Sequence, residues 1–253
     1  MRRHDRSLRP TVVAEVLAAV RVLVAAGERG SLVTAVSGSH QGRSALLDAD
    51  GGVVVGMDLP AVVLAAAVTV LDQGTPQLVE KNGESWFVEP VLPPPKLVVL
   101  GAIAVAEALA AMASAAGYSV HVIDTRDWLA SEAKFPTAVS VRCGTPVDML
   151  RQVGIDAATS VVSFLHEARL EDEVLIESLR SPAQYVGSMG SGKTTAAKRG
   201  RLSASGLDAD AVEKLRAPIG LEIGSRTSQE IAVSVLAEVV AVGRGHLTGG
   251  SGS

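Results

Sequence analysis

The chain is poor in cysteine and in aromatic side chains. One cysteine, Cys143, among 253 residues excludes an internal disulfide and any cysteine-rich metal site, and it fits a reducing compartment. Aromatic residues make up only 3 % of the sequence, whereas hydrophobic residues make up 47 %. The core must therefore be built mainly from alanine, valine and leucine, which suits helices packed on a sheet better than an aromatic-rich β-sandwich.

The sequence also lacks a strong positive charge and a long apolar run. The net charge is −4 and the pI is about 5.8, so the chain has no basic footprint typical of nucleic-acid-binding proteins. The apolar segment 97–116 contains Gly101 and Glu107, and it predicts a strand, a turn and a helix rather than a membrane span. The basic N-terminus lacks the apolar run of a signal peptide, so we expect a solvated tail and a cytoplasmic protein. At the other end, the Gly- and Ser-rich residues 246–253 predict a flexible tail or a cloning scar.

Three consecutive prolines divide the chain. Residues 93–95 cannot continue a helix or a central strand, and they predict a stiff extended linker. Before the linker, residues 1–92 combine helical periodicity with short strand-like segments, which predicts a small α+β domain. The predicted helices span 11–26 and 60–71, and the predicted strands span 32–36, 44–48, 53–55 and 85–91. An Asp-Gly-Gly turn at 50–52 predicts a hairpin between the second and third strands.

The pattern changes after the linker, because continuous apolar strands alternate with helices. Strands are predicted at 96–100, 119–124, 138–141, 159–164 and 184–186, and helices at 105–116, at 171–179 and from 194 onward. This alternation predicts an α/β fold for residues 96–245, a Rossmann-like parallel sheet with helices on both faces. Ligands of such sheets bind at the carboxyl ends of the strands. Four of the special residues fall there, namely Gly101, Asp124, His166 and Gly187.

Residues 187–194 match the phosphate-loop pattern G-x-x-x-x-G-K-[ST] in full. In such a loop, backbone N–H groups surround a phosphate, the lysine adds a charge and the Ser or Thr hydroxyl holds magnesium. Lys193 and Thr194 fill the last two positions. A nucleotide-hydrolysing domain also needs an apolar strand that ends in aspartate, and no such sequence follows Thr194. The context favours a glycine-rich strand-to-helix turn, with a phosphate-loop nucleotide-binding enzyme as an alternative.

Residues 101–106 lie where a dinucleotide-binding fingerprint would open a helix. Gly101 can form the tight turn, and Asp124 ends the next strand, where it can bind ribose hydroxyls or cap a turn. The second glycine of the fingerprint is replaced by Ile103, whose β-branched side chain obstructs the approach of a pyrophosphate. The fold prediction is unaffected, whereas an NAD(P)-binding oxidoreductase becomes the weaker hypothesis.

Two glycine-rich segments carry a more specific signature. The sequence Y-V-G-S-M-G-S-G-K occupies 185–193, and A-P-I-G-L-E-I-G-S-R-T occupies 217–227, followed by E-I-A at 230–232. Further matches are V-V-L-G-A at 98–102, V-I-D-T-R at 122–126, and L-H-E with L-E-D between 165 and 172. Together these segments resemble the XdhC/CoxI family, which are accessory proteins of molybdenum hydroxylases such as xanthine dehydrogenase and aerobic carbon monoxide dehydrogenase. The resemblance covers the second half and implies that residues 96–245 are the family's C-terminal Rossmann domain, and 1–92 its N-terminal domain.

The resemblance implies a maturation factor rather than a metabolic enzyme. The expected role is to bind molybdenum cofactor, as molybdopterin or its nucleotide form, to assist its sulfuration with a cysteine desulfurase, and to help insert it into an apo-hydroxylase. A dimer with itself or with another XdhC-like protein is also implied, and no catalytic or metal-binding residue is. The cofactor-binding residues carried over onto this chain are Gly101, Ala102, Asp124, Arg126, His166, Glu167, Gly187, Gly190, Ser191, Lys193, Gly220, Gly224 and Arg226.

The chain departs from the family pattern at several positions. Family members carry an N-terminal segment like G-S-V-S-G-G-C-V-E, whereas residues 53–60 read V-V-V-G-M-D-L-P without a cysteine. In the first turn of the Rossmann half, Ile103 and Ala104 replace a glycine and a histidine. Leu165 and Glu167 stand where the family has threonine and aspartate. These changes predict a divergent member that acts as the structural partner of an intact homologue.

Single residues leave two interpretations open. His166 beside Glu167 could orient an imidazole or bind a metal, or it could be a polar loop residue. Lys193 and Arg226 can contact a phosphate, and Arg226 is the stronger anion-binding candidate because it lies within the most specific motif. Cys143 follows a predicted strand without an obvious activating neighbour, so inert packing is favoured over a sulfur-carrying role.

Overall fold

The computed structural model describes residues 10–247, and the chain divides into two compact units between Pro93 and Pro94. Each unit has its own hydrophobic core. The predicted basic tail and all of the predicted Gly- and Ser-rich tail beyond Leu247 lie outside the described residues.

The first unit is a five-stranded antiparallel sheet with two helices. Its elements are α1 (Pro10–Ala25), β1 (Gly30–Ala35), β2 (Ser44–Asp48), β3 (Val53–Val55), α2 (Ala61–Gln73), β4 (Gln77–Lys81) and β5 (Glu84–Val91). The strand order is β3-β2-β1-β5-β4. Because strand side chains alternate between faces, α2 packs on one face through Val63 and Val70, and α1 packs on the other through Val16 and Leu23.

The second unit is a six-stranded parallel sheet flanked by helices. Its elements are β6 (Lys96–Leu100), α3 (Ala104–Ala115), β7 (Ser119–Asp124), β8 (Ser140–Cys143), α4 (Pro146–Val153), β9 (Thr159–Ser163), α5 (Ala168–Arg180), β10 (Tyr185–Ser188), α6 (Gly192–Ala204), α7 (Ala209–Glu213), β11 (Leu215–Arg216) and α8 (Ser228–Gly243). The strand order is β11-β10-β9-β6-β7-β8. Numbered within this unit, it is the 3-2-1-4-5-6 order of dinucleotide-binding folds, with its switch point between β6 and β9.

Both faces of this sheet are covered, which explains why its strands are continuously apolar. Leu97 and Val99 of β6 pack with α3 and α8, whereas Val98 and Leu100 pack with α4 and α5. All four side chains are fully buried. The predicted fold class, a parallel Rossmann-like sheet with helices on both faces preceded by a smaller α+β unit, is confirmed.

The structure differs from the predicted elements in several places. Strand β8 begins at Ser140, two residues later than predicted, because Ala138 donates its N–H to the Phe135 carbonyl (3.0 Å) and closes a turn. The unpredicted elements are β4, α4, α7, β11 and α8. Most of them are short or polar, but α8 carried a readable signal, since Thr227 and Glu230 form a capping box at its start.

Within residues 10–247, no helix combines the length and hydrophobicity that a membrane crossing requires.

Candidate functional site

The turns that follow the parallel strands meet at one edge of the sheet, which we call the carboxyl edge. Hydrogen bonds link them directly. Gly101 donates its N–H to the Ile123 carbonyl (2.8 Å), Phe164 to that of Leu100 (2.7 Å), and Met189 to that of Ser163 (3.0 Å). The ends of β6, β7, β9 and β10 therefore form one continuous surface at the switch point.

The turn after β6 is tight. Gly101 has φ of +98°, and a Cβ placed on it would lie 3.0 Å from the backbone of Phe164, so only glycine fits. Helix α3 then begins at Ala104 without a side-chain cap, which leaves its first N–H groups facing the carboxyl edge. The Ile103 side chain is partly buried and packs against the core. The geometry is that of a Rossmann turn, with an apolar residue at the second glycine position.

Asp124, at the end of β7, holds the turn after β6 through hydrogen bonds. One carboxylate oxygen accepts the Ala102 N–H (2.7 Å) and an Arg126 guanidinium N–H (2.8 Å), and the other accepts the backbone N–H and Nε–H of Arg126 (2.9 and 2.8 Å). The Asp124 side chain is 1 % exposed, whereas that of Arg126 is 39 % exposed. Burial alone would raise the pKa of the Asp124 carboxyl, but the hydrogen bonds and charge of Arg126 and the Ala102 N–H outweigh it, and the pKa lies below its ordinary value. Asp124 thus holds the turn, and Arg126 is the more accessible member of the pair.

The glycine turn after β10 does not wrap as a phosphate loop does. The first glycine of the pattern, Gly187, lies inside β10, where a Cβ would come within 2.6 Å of both Ile219 and the Tyr185 hydroxyl. Only Met189, Gly190 and Ser191 connect the strand to α6. This glycine therefore serves packing, and the phosphate-loop match lacks the loop itself.

The start of α6 can still hold an anion. Ser191 caps the helix by accepting the Thr194 N–H (3.3 Å), while no described residue accepts a hydrogen bond from the N–H of Gly192 or Lys193. The Lys193 side chain is exposed, whereas the Thr194 hydroxyl is used by the Ser191 carbonyl (2.9 Å). Free N–H groups at a helix start, with a lysine beside them, favour a negatively charged group.

A buried ionic cluster lies beneath this turn, and sequence reasoning missed it. Lys198 of α6 donates to a carboxylate oxygen of Glu171 (2.9 Å), to the Ser188 hydroxyl and to the Met189 carbonyl (3.1 Å). The same Glu171 oxygen accepts the hydroxyls of Ser188 (2.6 Å) and Ser163 (3.2 Å). The side chains of Lys198 and Glu171 are 4 % and 6 % exposed. The cluster ties α5, α6, β9 and β10 together at the carboxyl edge.

Thr195 is a second residue that the sequence did not reveal. Its hydroxyl is the one buried side-chain polar atom without a hydrogen-bond partner in the part of the chain that the structure describes. A Cβ placed on Gly190 would lie 3.6 Å from it, so the hydroxyl faces the glycine turn. Buried hydroxyls without partners are costly, and because this one has almost no accessible surface, it could reach a ligand atom only after the glycine turn had moved.

The segment 217–227 forms a third turn at the same edge. Gly220, with φ of +93°, donates its N–H to a Glu238 carboxylate oxygen (2.8 Å) that also accepts the Tyr185 hydroxyl (2.6 Å). Burial, together with the charge and hydrogen bond of Glu238, raises the pKa of Tyr185 well above its ordinary value. Through Tyr185 and Glu238, the first part of this segment is therefore tied to β10.

The second part of segment 217–227 is more open. Gly224 and Arg226 are exposed, and no described residue hydrogen-bonds to the Arg226 guanidinium. Glu230 accepts the backbone N–H groups of Arg226 (2.7 Å) and Thr227 (2.9 Å), which fixes the backbone but leaves the guanidinium free.

The remaining candidates are solvent-exposed. His166 and Glu167 follow β9, and Glu167 precedes α5 without capping it through its side chain. Cys143 ends β8 and is exposed, with its thiol 3.6 Å from the Thr125 carbonyl. Among residues 10–247, no three His, Cys, Asp or Glu side chains are grouped to hold a metal ion. Direct contacts join Asp124 to the Gly101 turn and Gly187 to the segment that holds Gly220, and β9 lies between these two groups.

His166, Glu167, Gly224 and Arg226 lie on the open surface.

A parallel sheet in this order, flanked by helices on both faces, defines a Rossmann-type domain. The chain belongs to the XdhC family, because the XdhC Rossmann domain matches residues 97–239, more than half of its length. The match includes each turn described above.

Two curated relatives have names connected with molybdenum cofactor or with xanthine dehydrogenase. The chain is 29 % identical over 147 residues to the molybdenum cofactor insertion chaperone PaoD of Escherichia coli, covering 58 % of this chain and 40 % of that protein. It is 31 % identical over 157 residues to a probable xanthine dehydrogenase subunit of Bacillus subtilis, covering 62 % and 45 %. It therefore spans less than half the length of these relatives. A crystal structure of a xanthine dehydrogenase from Bacillus halodurans superposes with a TM-score of 0.74 over 94 % of this chain and 66 % of that one, at 22 % identity, which shows the shared fold.

Proposed function

We propose that this protein binds molybdenum cofactor at the carboxyl edge of its Rossmann unit and assists delivery of the cofactor to a molybdenum hydroxylase. The observation that carries the proposal is the start of α6, which combines free backbone N–H groups, an exposed lysine at position 193 and the unpartnered Thr195 hydroxyl beside a glycine turn. The cofactor chaperone among the relatives indicates what kind of ligand to expect there.

The residues present fit the phosphate end of a pterin cofactor. Gly192, Lys193 and Thr195 supply two backbone donors, a charge and a hydroxyl within one helical turn. Arg226 adds an accessible guanidinium at the same edge, and Arg226 and Lys193 are well suited to phosphate oxygens. When bound, the cofactor supplies the redox chemistry of the client enzyme, and the residues of this chain only hold and orient it.

The two alternative functions have less support. Binding of NAD(P) is opposed by Ile103 at the position where a pyrophosphate must approach, and by the full use of Asp124 within the protein. A phosphate-loop enzyme is opposed by Gly187 lying inside β10 and by the use of the Thr194 hydroxyl in capping α6.

The role we infer is that of a structural partner in a larger assembly. Residues 53–60 lack the cysteine of the family pattern, so we propose that sulfuration, with a cysteine desulfurase as sulfur donor, depends on a second XdhC-like protein that carries it. A homodimer or heterodimer would bring the two together, and we expect this to occur in the cytoplasm.

Equilibrium binding of isolated molybdenum cofactor tests the proposal. We expect binding by the wild-type protein and weakening of about tenfold in Lys193→Ala, since a charge-assisted contact contributes roughly 1.5–3 kcal/mol. Lys214→Ala is the matched control, because Lys214 is an exposed lysine beside α7 rather than at the start of α6. The proposal is wrong if wild-type protein binds no cofactor and co-purifies from its host with neither a hydroxylase nor an XdhC-like protein.

A further inference from the structure

Trp128 is placed unusually for a chain with so few aromatic residues. The two tryptophans, two tyrosines and three phenylalanines all lie within the described residues, and Trp128 alone among them is exposed, with 69 % of its surface accessible. The other tryptophan, Trp86, is 3 % exposed in the core of the first unit. Burial of an indole side chain contributes a large hydrophobic free energy to folding, and an exposed indole forgoes it. The exposure of Trp128 therefore requires an explanation.

The turn that carries Trp128 is fixed. Leu129 and Ala130 donate their N–H groups to the Arg126 carbonyl (3.1 and 3.0 Å), and Trp128 donates its own to the Asp127 carboxylate (2.7 Å). Leu129 packs against the core, and the Arg126 side chain is tied to Asp124. The indole is thus presented from an anchored turn that follows β7 at the carboxyl edge.

The surroundings of Trp128 favour a small planar ligand over a protein surface. Protein-binding tryptophans usually lie among other apolar side chains. Along the chain, the nearest other exposed large hydrophobic residue is Val139, eleven positions away, and the neighbouring Asp127 is exposed and charged. Its turn follows the same strand end as Asp124, which supports the start of α3. Ligands in Rossmann sheets extend across this part of the carboxyl edge.

We infer that the Trp128 indole stacks on the planar heteroaromatic ring of the ligand whose phosphate is held at the carboxyl edge. The ring is the pterin of the cofactor or the base of its nucleotide form. The inference rests on the proposed function and assigns to the turn after β7 the recognition of the ring, while α6 recognises the phosphate. Stacking of a base on an aromatic side chain changes affinity by about ten- to a hundredfold.

Tryptophan fluorescence of the full chain tests this assignment, because Trp86 is shielded and the emission of Trp128 is obtained as the difference between wild type and Trp128→Phe. The probes are a pterin monophosphate, cytidine monophosphate and inorganic pyrophosphate. We expect a ring-bearing probe to quench Trp128 in the wild-type protein. Titration calorimetry, which needs no tryptophan, should show that Trp128→Ala binds that probe about tenfold more weakly while Trp128→Phe retains most of the affinity. Pyrophosphate should bind all three proteins equally. Quenching by the pterin or by the nucleotide identifies which ring is stacked.

Three results would overturn the inference. If Trp128→Ala binds isolated molybdenum cofactor and the ring-bearing probes as tightly as wild type, Trp128 does not stack, and the proposed function stands. If that variant keeps its ligand affinity but no longer associates with the hydroxylase, Trp128 is a protein contact. If wild type itself binds neither the cofactor nor any probe, the stacking inference fails, and the proposed function fails as well when the protein also co-purifies with neither a hydroxylase nor an XdhC-like protein.

Discussion

Two turns at the carboxyl edge, one after β6 and one after β10, are supported in the same way but by different anchors. Asp124 and Arg126 support the first, and Glu171 and Lys198 support the second. The first pair lies within three residues of sequence and reaches the surface through Arg126. The second joins α5 to α6, and both of its side chains are almost fully buried.

The difference bears on binding. The carboxylate under the first turn is fully used, because each Asp124 oxygen accepts two hydrogen bonds. The second turn leaves the Thr195 hydroxyl without a partner among the described residues, and the N–H groups at the start of α6 are free as well. Both turns therefore lead into helices with free N–H groups, and they differ in that the carboxylate under the first turn is fully used whereas a buried hydroxyl at the second has no partner.

The largest expected effect comes from breaking the buried pair. Lys198→Met should destabilise the Rossmann unit by roughly 3–5 kcal/mol, because it leaves the Glu171 carboxylate buried without its cation. Hydrogen exchange of the β10 and α6 amides during urea titration measures it. Arg201→Met is the control, since Arg201 pairs with Asp172 on the same two helices at 2.6 Å but is 41 % exposed, and it should cost less than about 1 kcal/mol. Equal effects of the two substitutions would contradict the distinction.

The contribution of Asp124, which holds the first turn, to the free energy of unfolding should depend on pH. Asp124→Asn should cost roughly 1.5–3 kcal/mol near pH 7, since the hydrogen bonds that it weakens are made to a charged group. The folded-state pKa of Asp124 is depressed, so its contribution is complete above the unfolded pKa and is lost as pH falls through the folded value, below about 4. The stability difference between wild type and Asp124→Asn, followed by circular dichroism from pH 7 to pH 2, should shrink in acid. A difference that stays constant would show that Asp124 acts through packing alone.

Gly101 and Gly192 differ in whether an alanine can replace them without backbone strain or a steric clash. Gly101→Ala should destabilise by about 1–3 kcal/mol, because φ is +98° and the new Cβ would meet Phe164 at 3.0 Å. Gly192→Ala should be neutral or stabilising by less than about 1 kcal/mol, since Gly192 begins α6 and nothing lies within 4 Å of its Cβ position. Thermal unfolding compares the pair. A destabilising Gly192→Ala would mean that the two glycines do not differ in this respect.

The sequence predicted the first turn far better than the second. Asp124 and Arg126 are two residues apart at the end of an apolar strand, so the local pattern revealed the strand and marked both residues as site candidates, although it did not predict that they pair with each other. Glu171 and Lys198 are separated by 27 residues and read as ordinary surface charges on amphipathic helices, and only the packing of α5 against α6 brings them together. The same limit explains the phosphate-loop match, because the pattern cannot show that Gly187 lies inside β10 rather than in a loop. Strands and helices of the sheet followed from continuous apolar runs, whereas the two-residue β11 has no such signal.

The smallest expected effect is that of Thr195→Val, which should raise the free energy of unfolding but lower the affinity for the ligand. It therefore distinguishes an effect on stability from an effect on binding. Thr195→Val keeps the shape of the side chain and removes a buried hydroxyl without a partner, so the free protein should become more stable by about 1 kcal/mol. The same substitution removes a donor from the α6 turn, so phosphate or cofactor binding should weaken severalfold. Thr194→Val is the matched control: its hydroxyl already donates to the Ser191 carbonyl at 2.9 Å, so its loss should reduce stability slightly. Thermal unfolding with and without ligand measures both quantities. A Thr195→Val variant that is less stable and binds normally would mean that the hydroxyl is satisfied within the protein, and the two turns would then not differ in this respect.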